Sequence, residues 1–309
     1  MGQYIDFIDS NKNYSELEVR DILAPNEINQ FLQICKTFDH DRCTKDVSMG
    51  IFASKLIQNS YNYGYNHFTI DTSDCDKISF LGSHLEGEIA NPIKIKINGS
   101  VGQGALGHSK NIDVIAKGNV DQEFACDSEN IRGIIVGDSN SYFAYKTKNS
   151  KFIIKGNVGY DSFLLTNDVD VIVKGDVANS FGGDSENLIA TIYGKVCQYF
   201  GTRSKNFCAK IYGDVGWKLG YESKNANIYV KGNVYSEIGK KSIHFSAVID
   251  GELNSNLGYG ANNSAIYAKT LVGEPLYVGD SRNVIAGSGK GKEEFREELL
   301  KKIEGAMKQ

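Results

Sequence analysis

Gly99, Gly118, Gly137, Gly156, Gly175, Gly194, Gly213, Gly232 and Gly251 follow one another at an unbroken interval of 19 residues. Self-similarity at a fixed period of this size marks a repeat architecture, in which each unit buries its apolar edge only by stacking on the next. With glycine as position 1, position 3 is Val or Leu in eight of nine repeats, the exception being Ser139. Position 11 is Ser or Thr in eight of nine. Position 13 is Asn in seven (Asn111, Asn130, Asn149, Asn187, Asn206, Asn225 and Asn263), with Asp168 and His244 in the other two. Around each glycine apolar and polar residues alternate, as in Ile228-Tyr229-Val230-Lys231-Gly232-Asn233-Val234, which is the period-2 signal of a half-buried strand. The S-K-N and S-E-N triplets are turn chemistry: Ser bonds to nearby backbone, and Asn tolerates the left-handed conformation.

This pattern predicts a mainly β protein built on a right-handed, single-stranded β-helix (solenoid) of about ten 19-residue coils. Stacking would align the position-1 glycines in a column where the missing Cβ lets the backbone turn sharply or approach the opposite wall. The Asn residues would form a ladder of side-chain amides. The repeat is expected to begin one coil early, near Phe80, with Ile93, Ile95 and Ile97 as its strand. Past Thr270 the segment LYVGDSRNVI keeps the S-x-N turn one residue out of phase, which predicts a bulge or loosened pairing at the last coil.

Three segments follow: a small α+β cap over residues 1–77, the β-helix over 78–286 and an amphipathic helix over 287–309. In the cap, Pro25-Asn26-Glu27-Ile28 opens one helix, a second runs through Ile51–Ile57 to Gly64, and HFTID reads as a short strand. At the other end Gly287-Ser288-Gly289-Lys290-Gly291 is a joint leading to a helix with Phe295, Leu299 and Ile303 on one face. That helix is expected to cap the last coil or to dock on a partner.

Composition narrows the function classes. A net charge of −4 and pI near 5.8 give no electrostatic reason to expect nucleic acid or acidic lipid. MGQYIDFIDSNKN has neither a basic region nor an apolar core, and no apolar run is long enough to span a bilayer, so a cytoplasmic chain with reduced thiols is expected. Cys35, Cys43, Cys75, Cys126, Cys197 and Cys208 form no C-x-x-C pair, and the five histidines have no metal spacing, so neither metal nor cofactor is expected.

Four features bear on chemistry. Val284 to Lys292 looks like strand, Gly-rich loop and helix, yet lacks G-x-x-x-x-G-K-[ST] and reads as a hinge. Asp138, Asp176 and Asp214 share position 2, two coils apart each time. That spacing of ~9.6 Å slightly exceeds the separation of acid and base in inverting glycosidases. His40-Asp41-Arg42-Cys43 reads as a surface loop rather than a dyad. Tyr145, Tyr221 and Tyr259 share position 9, and Tyr193 and Tyr212 share position 19. Such aromatics serve corner packing, a protein interface or, least, carbohydrate stacking.

Gly213-Asp214-Val215-Gly216-Trp217-Lys218-Leu219-Gly220 completes a G-x-x-G-x-x-x-G motif. It resembles the repeat of the C-terminal β-helix domain of glutamate synthase, a domain also found in formylmethanofuran dehydrogenase. The lead-in FASKLIQNSYNYG, HFTID and FLGSHLEGE resembles the stand-alone version of that domain, and the resemblance covers roughly residues 50–285. The middle glycine is replaced in most coils, by Asp121, Asn140, Ala178, Cys197, Tyr235 and Asn254, so the fold carries over better than any partner surface. The resemblance implies a domain that holds catalytic domains in place and is not itself an active site. The leading expectation is therefore a non-catalytic scaffold subunit that binds protein subunits or copies of itself. A carbohydrate-active β-helix enzyme using acidic residues on adjacent coils is the alternative.

Overall fold

The computed structural model describes residues 2–10, 18–37, 45–73, 77–254, 260–272, 283–287 and 289–308, which fall into two compact units, Met1–Ile153 and Ile154–Gln309. In each, the alternating segments form parallel strands repeating at the glycine interval, so each is a β-solenoid.

The first unit opens with three helices, α1 (Gly2–Ser10), α2 (Pro25–Thr37) and α3 (Lys45–Tyr63). Strands β1 (His67–Asp71), β2 (Ile93–Asn98), β3 (Lys110–Ala116), β4 (Glu129–Ile135) and β5 (Lys148–Ile154) follow, paired in chain order. Positions 14, 16 and 18 point inward, and the pairing Ile93↔Ile112↔Ile131 keeps like positions over one another. Sizes compensate between coils: Gly133 occupies a position that is Val114 one coil earlier, and the ring of Phe152 fills its space. Pro25 starts α2 at a point where no N–H is needed, and the Glu27 carboxylate accepts the Ala24 N–H. Tyr4 of α1, a helix the sequence reading did not anticipate, meets Phe31 and Phe52 edge-on at 5.3 Å.

The cap imitates a coil. On α3, Ser54, Gln58 and Tyr61 share one face and bond to the backbone of the first turns of the solenoid. Ser54 Oγ accepts from Gly82 N at 2.8 Å and donates to the Phe80 carbonyl. Gln58 brackets Glu86 with both amide atoms, and the Tyr61 hydroxyl accepts from Glu88 N and donates to the Asn91 carbonyl. Backbone groups that would otherwise face an empty edge are thereby satisfied.

The second unit contains β6 (Asn167–Val173), β7 (Glu186–Ile192), β8 (Cys208–Ile211), β9 (Val215–Trp217), β10 (Asn227–Val230), β11 (Val234–Ser236), β12 (Ser246–Asn254), β13 (Ala265–Val272), β14 (Asn283–Ala286) and α4 (Lys290–Ala306). The main ladder runs β6-β7-β8-β10-β12-β13-β14, while β9, β11 and the end of β12 form a second ladder at position 3. Inside, Phe181 and Phe200 stack at 5.3 Å and Phe207 meets Phe200 edge-on.

Corners are built from left-handed residues at positions 6, 8, 10 and 13 of the coil. Position 13 behaves as its Asn content predicts: Asn111, Asn130, Asn149, Asn187, Asn206, Asn225 and Asn263 all have φ between 49° and 57°. Their amides form ladders, with Nδ2 of Asn130, Asn206 and Asn225 donating to Oδ1 of the Asn one coil earlier at 2.9, 2.9 and 3.0 Å. His244, which replaces Asn, keeps the contact with Asn263 at 2.9 Å. At position 11 the hydroxyls are buried and donate to corner carbonyls, as Ser204 does to Gly201 and Ser128 to Leu106.

The position-1 glycines approach one another rather than the opposite wall. A Cβ on Gly118 would penetrate the carbonyl of Gly99. The same holds for Gly194 on Gly175, Gly213 on Gly194, Gly232 on Gly213 and Gly251 on Gly232; Gly175 would likewise meet Gly156, and Gly137 the Asn119 side chain and Gly118. Except at Gly99, none of these needs a positive φ, so close packing alone selects the residue.

The bulge expected with the phase step stands directly before Thr270: Ile249 pairs with Ala268 but Glu252 with Thr270, so Asp250 and Gly251 oppose Lys269. One expectation is corrected: α4 lies on the outer face of β10, β12 and β13 rather than over the last coil. The reason is local: outward positions there carry Ser246, Ala265, Val248 and Tyr267 in place of charged residues, leaving an apolar trough for the helix.

Candidate functional site

The sequence features that bear on chemistry and fall among the described residues serve the coils themselves. Asp176 Oδ1 accepts the Lys195 N–H at 2.7 Å and Asp214 Oδ1 the Asn233 N–H at 2.9 Å, while Asp138 donates its N–H to Asn119 Oδ1. Position 2 is thus an acceptor for the backbone of the following coil. Burial pushes the thiols of Cys35 and Cys126 up to about 12, helped at Cys126 by the Asp127 carboxylate, and that of Cys208 to about 11. These three are protonated and poorly nucleophilic at neutral pH. The four described cysteines, Cys35, Cys126, Cys197 and Cys208, are free thiols; His40, Cys43 and Cys75 lie outside the described residues.

His84 stacks on His108 at 4.9 Å. Partial burial, with the neighbouring His108 and Lys55, lowers its pKa. Among the described residues no group of three His, Cys, Asp or Glu side chains is placed to hold a metal ion, and no described helix is long and apolar enough to cross a membrane.

The tyrosines pack along the corners. Tyr145 meets Tyr142 edge-on with Lys146 near its ring, Tyr221 lies between Lys218 and Lys241, and Tyr193 stacks on Tyr212 at 4.8 Å beneath Lys174. Tyr259 lies outside the described residues.

The C-terminal helix residues are committed within the chain. Leu299 and Ile303, 5% and 1% exposed, bury against Val248 and Tyr267, and Phe295 packs beside them. A polar clamp fixes the helix: Arg296 Nε and Nη2 each reach the Asp250 carboxylate at 2.8 Å, and the Tyr229 hydroxyl donates to the same group at 2.9 Å. Burial would raise the Asp250 carboxyl, but the Arg296 guanidinium and Tyr229 hydroxyl outweigh it and hold it below the usual range. Tyr229 is pushed up to about 12 by burial and by that carboxylate.

The feature that sequence reasoning did not single out is the outer face of the first unit. Position 17, which points outward by the period-2 rule, is isoleucine on the last three strands of this unit, Ile115, Ile134 and Ile153. Ile115 and Ile153 are 43% and 38% exposed. They floor a shallow depression of about 680 Å³ bordered by His67, Lys94, Lys96, Arg132 and Lys151. Asp113 is the one carboxylate in this lining, and it forms a two-point ion pair with Arg132. Reading the outward positions as carefully as the inward ones would have found this column.

Comparisons with protein-family models, with curated proteins and with solved structures return no match for this chain.

Proposed function

We propose that this protein is a non-catalytic scaffold subunit, akin to the glutamate synthase β-helix domain standing as a separate chain, and that it holds protein partners on the outer face of its first unit. One observation carries the reading: Ile115, Ile134 and Ile153 leave an apolar column open to solvent at the position where the coils under α4 bury Val248 and Tyr267 and half-bury Tyr229. A contiguous apolar strip rimmed by polar groups is the ordinary signature of a protein-binding surface. The polar columns support the reading in a second way, since their Asp, Asn and Ser groups are occupied by the coils themselves.

The test is affinity capture from the source cells with the intact chain and with Ile115→Thr/Ile134→Thr, which keeps β-branched residues on both strands. The intact chain should recover partners in fixed stoichiometry, and the variant should lose them. A chain that stays without stoichiometric partners under varied conditions would sink the proposal. Flavin or amidotransferase subunits among the partners would extend it to a glutamate synthase-like assembly.

A further inference from the structure

We infer that the occupant of this face is an amphipathic α-helix from a partner protein, with carboxylates flanking its apolar stripe; the inference rests on the scaffold reading above. The template lies within the chain. In the second unit α4 crosses β10, β12 and β13 and places Leu299 and Ile303, with Phe295 beside them, on the outward side chains. The match is one of pitch: a helix advances ~5.4 Å per turn and adjacent strands are spaced ~4.8 Å, so an i, i+4 stripe meets one outward side chain per coil over a few coils. The first unit repeats that arrangement in Ile115, Ile134 and Ile153, one per coil, with no helix among the described residues on top.

Charge then selects the helix. In the second unit the sheet supplies an acid, Asp250, and the helix answers with Arg296. In the first unit the polarity is reversed. Arg132 already satisfies Asp113, while Lys94 and Lys96 make no ion pair among the described residues. A helix with Glu or Asp beside its apolar stripe would meet these lysines, and one flanked by Lys or Arg would be repelled.

The experiment uses the full chain and two synthetic helical probes of about 18 residues, long enough for three turns or more, both with Phe, Leu and Ile at i, i+4 and i+8. One carries Glu at the flanking positions and the other Lys. Fluorescence anisotropy should show the Glu-flanked probe binding ~10-fold or more tightly than the Lys-flanked one at low salt, a gap that salt narrows. Ile115→Thr/Ile134→Thr should weaken binding of the Glu-flanked probe ~10-fold, and Lys94→Glu/Lys96→Glu should invert the preference, both with unchanged unfolding midpoints. Equal binding of the two probes, or binding indifferent to the isoleucines, overturns the inference. A concentration-dependent dimer lost on Ile115→Thr/Ile134→Thr also overturns it, by assigning the face to a second copy. If a captured partner depends on the isoleucines but cross-links to them through a non-helical segment, the helix falls and the scaffold reading stands. If neither probe nor partner binds, both fall.

Discussion

The two units present the same outward column of a parallel sheet and treat it differently. In the second, Val248 and Tyr267 are 0% and 1% exposed because α4 covers them, whereas in the first Ile115 remains 43% exposed. The inward residues do not explain the contrast, since both units bury the same alternating Val, Ile and Phe. What differs is position 15: Lys94, Asp113, Arg132 and Lys151 in the first unit, Asn227, Ser246 and Ala265 in the three coils under α4. A repeat fixed by its interior is free to assign its exterior coil by coil.

The largest expected effect tests what the units share. Gly118→Ala in the first and Gly213→Ala in the second should each cost about 3 kcal/mol, because the new methyl enters a neighbouring carbonyl. Urea unfolding followed by circular dichroism would show similar losses; a tolerated substitution in one unit would mean its column is not close-packed.

A similar loss, now confined to one unit, is expected at the covered face. Leu299→Ala should cost about 3 kcal/mol, and the exposed Ile115→Ala no more than about 0.5 kcal/mol. Trp217, the single tryptophan, lies in the second unit and reports on the first of these changes. Equal effects would erase the contrast.

Next comes the polar clamp. Asp250→Asn should cost about 2 kcal/mol at neutral pH by weakening the bonds from Arg296 and Tyr229. Because the folded pKa of Asp250 is depressed, its contribution is whole above the ordinary carboxylate range near ~4 and fades as pH falls through the folded value. A pH series of unfolding should therefore show the native chain losing, in acid, the advantage it holds over the variant. No convergence of the two curves would mean that the clamp adds nothing to α4.

The smallest effect is a gain. Ser139 stands where Val101 and Val120 stand in the preceding coils, and its buried hydroxyl finds no hydrogen-bond partner among the described residues. Ser139→Val should stabilise the first unit by about 1 kcal/mol, read by hydrogen exchange of the strands around it.

Much of this architecture was legible because it is written once per coil. The period gave the stacking, the alternation gave the inward face, and Asn at position 13 announced its left-handed backbone. At position 8 the glycines Gly182, Gly201, Gly220 and Gly239 announced it too, but the other corner residues announced nothing. Leu106, Tyr142 and Phe163 have φ of 57°, 58° and 56°, which none of them prefers in isolation. The coil-to-coil backbone bonds impose it, and those are tertiary. The seat of α4 was hidden for a related reason: its stripe was plain, but the face it chose depends on outward residues in three separate coils. The isoleucine column needed no tertiary knowledge, only the period-2 rule carried to the solvent side.

The glycine column has a consequence for how such a chain changes over generations. Each coil fits because its own glycine leaves room for the backbone carbonyl of the coil before it, so a lone substitution in the column sets one coil against its predecessor. Duplicating a whole 19-residue coil brings its glycine with it and so keeps every such contact intact. Length is then the easy variable and column composition the hard one, and new outward residues arrive with every copy.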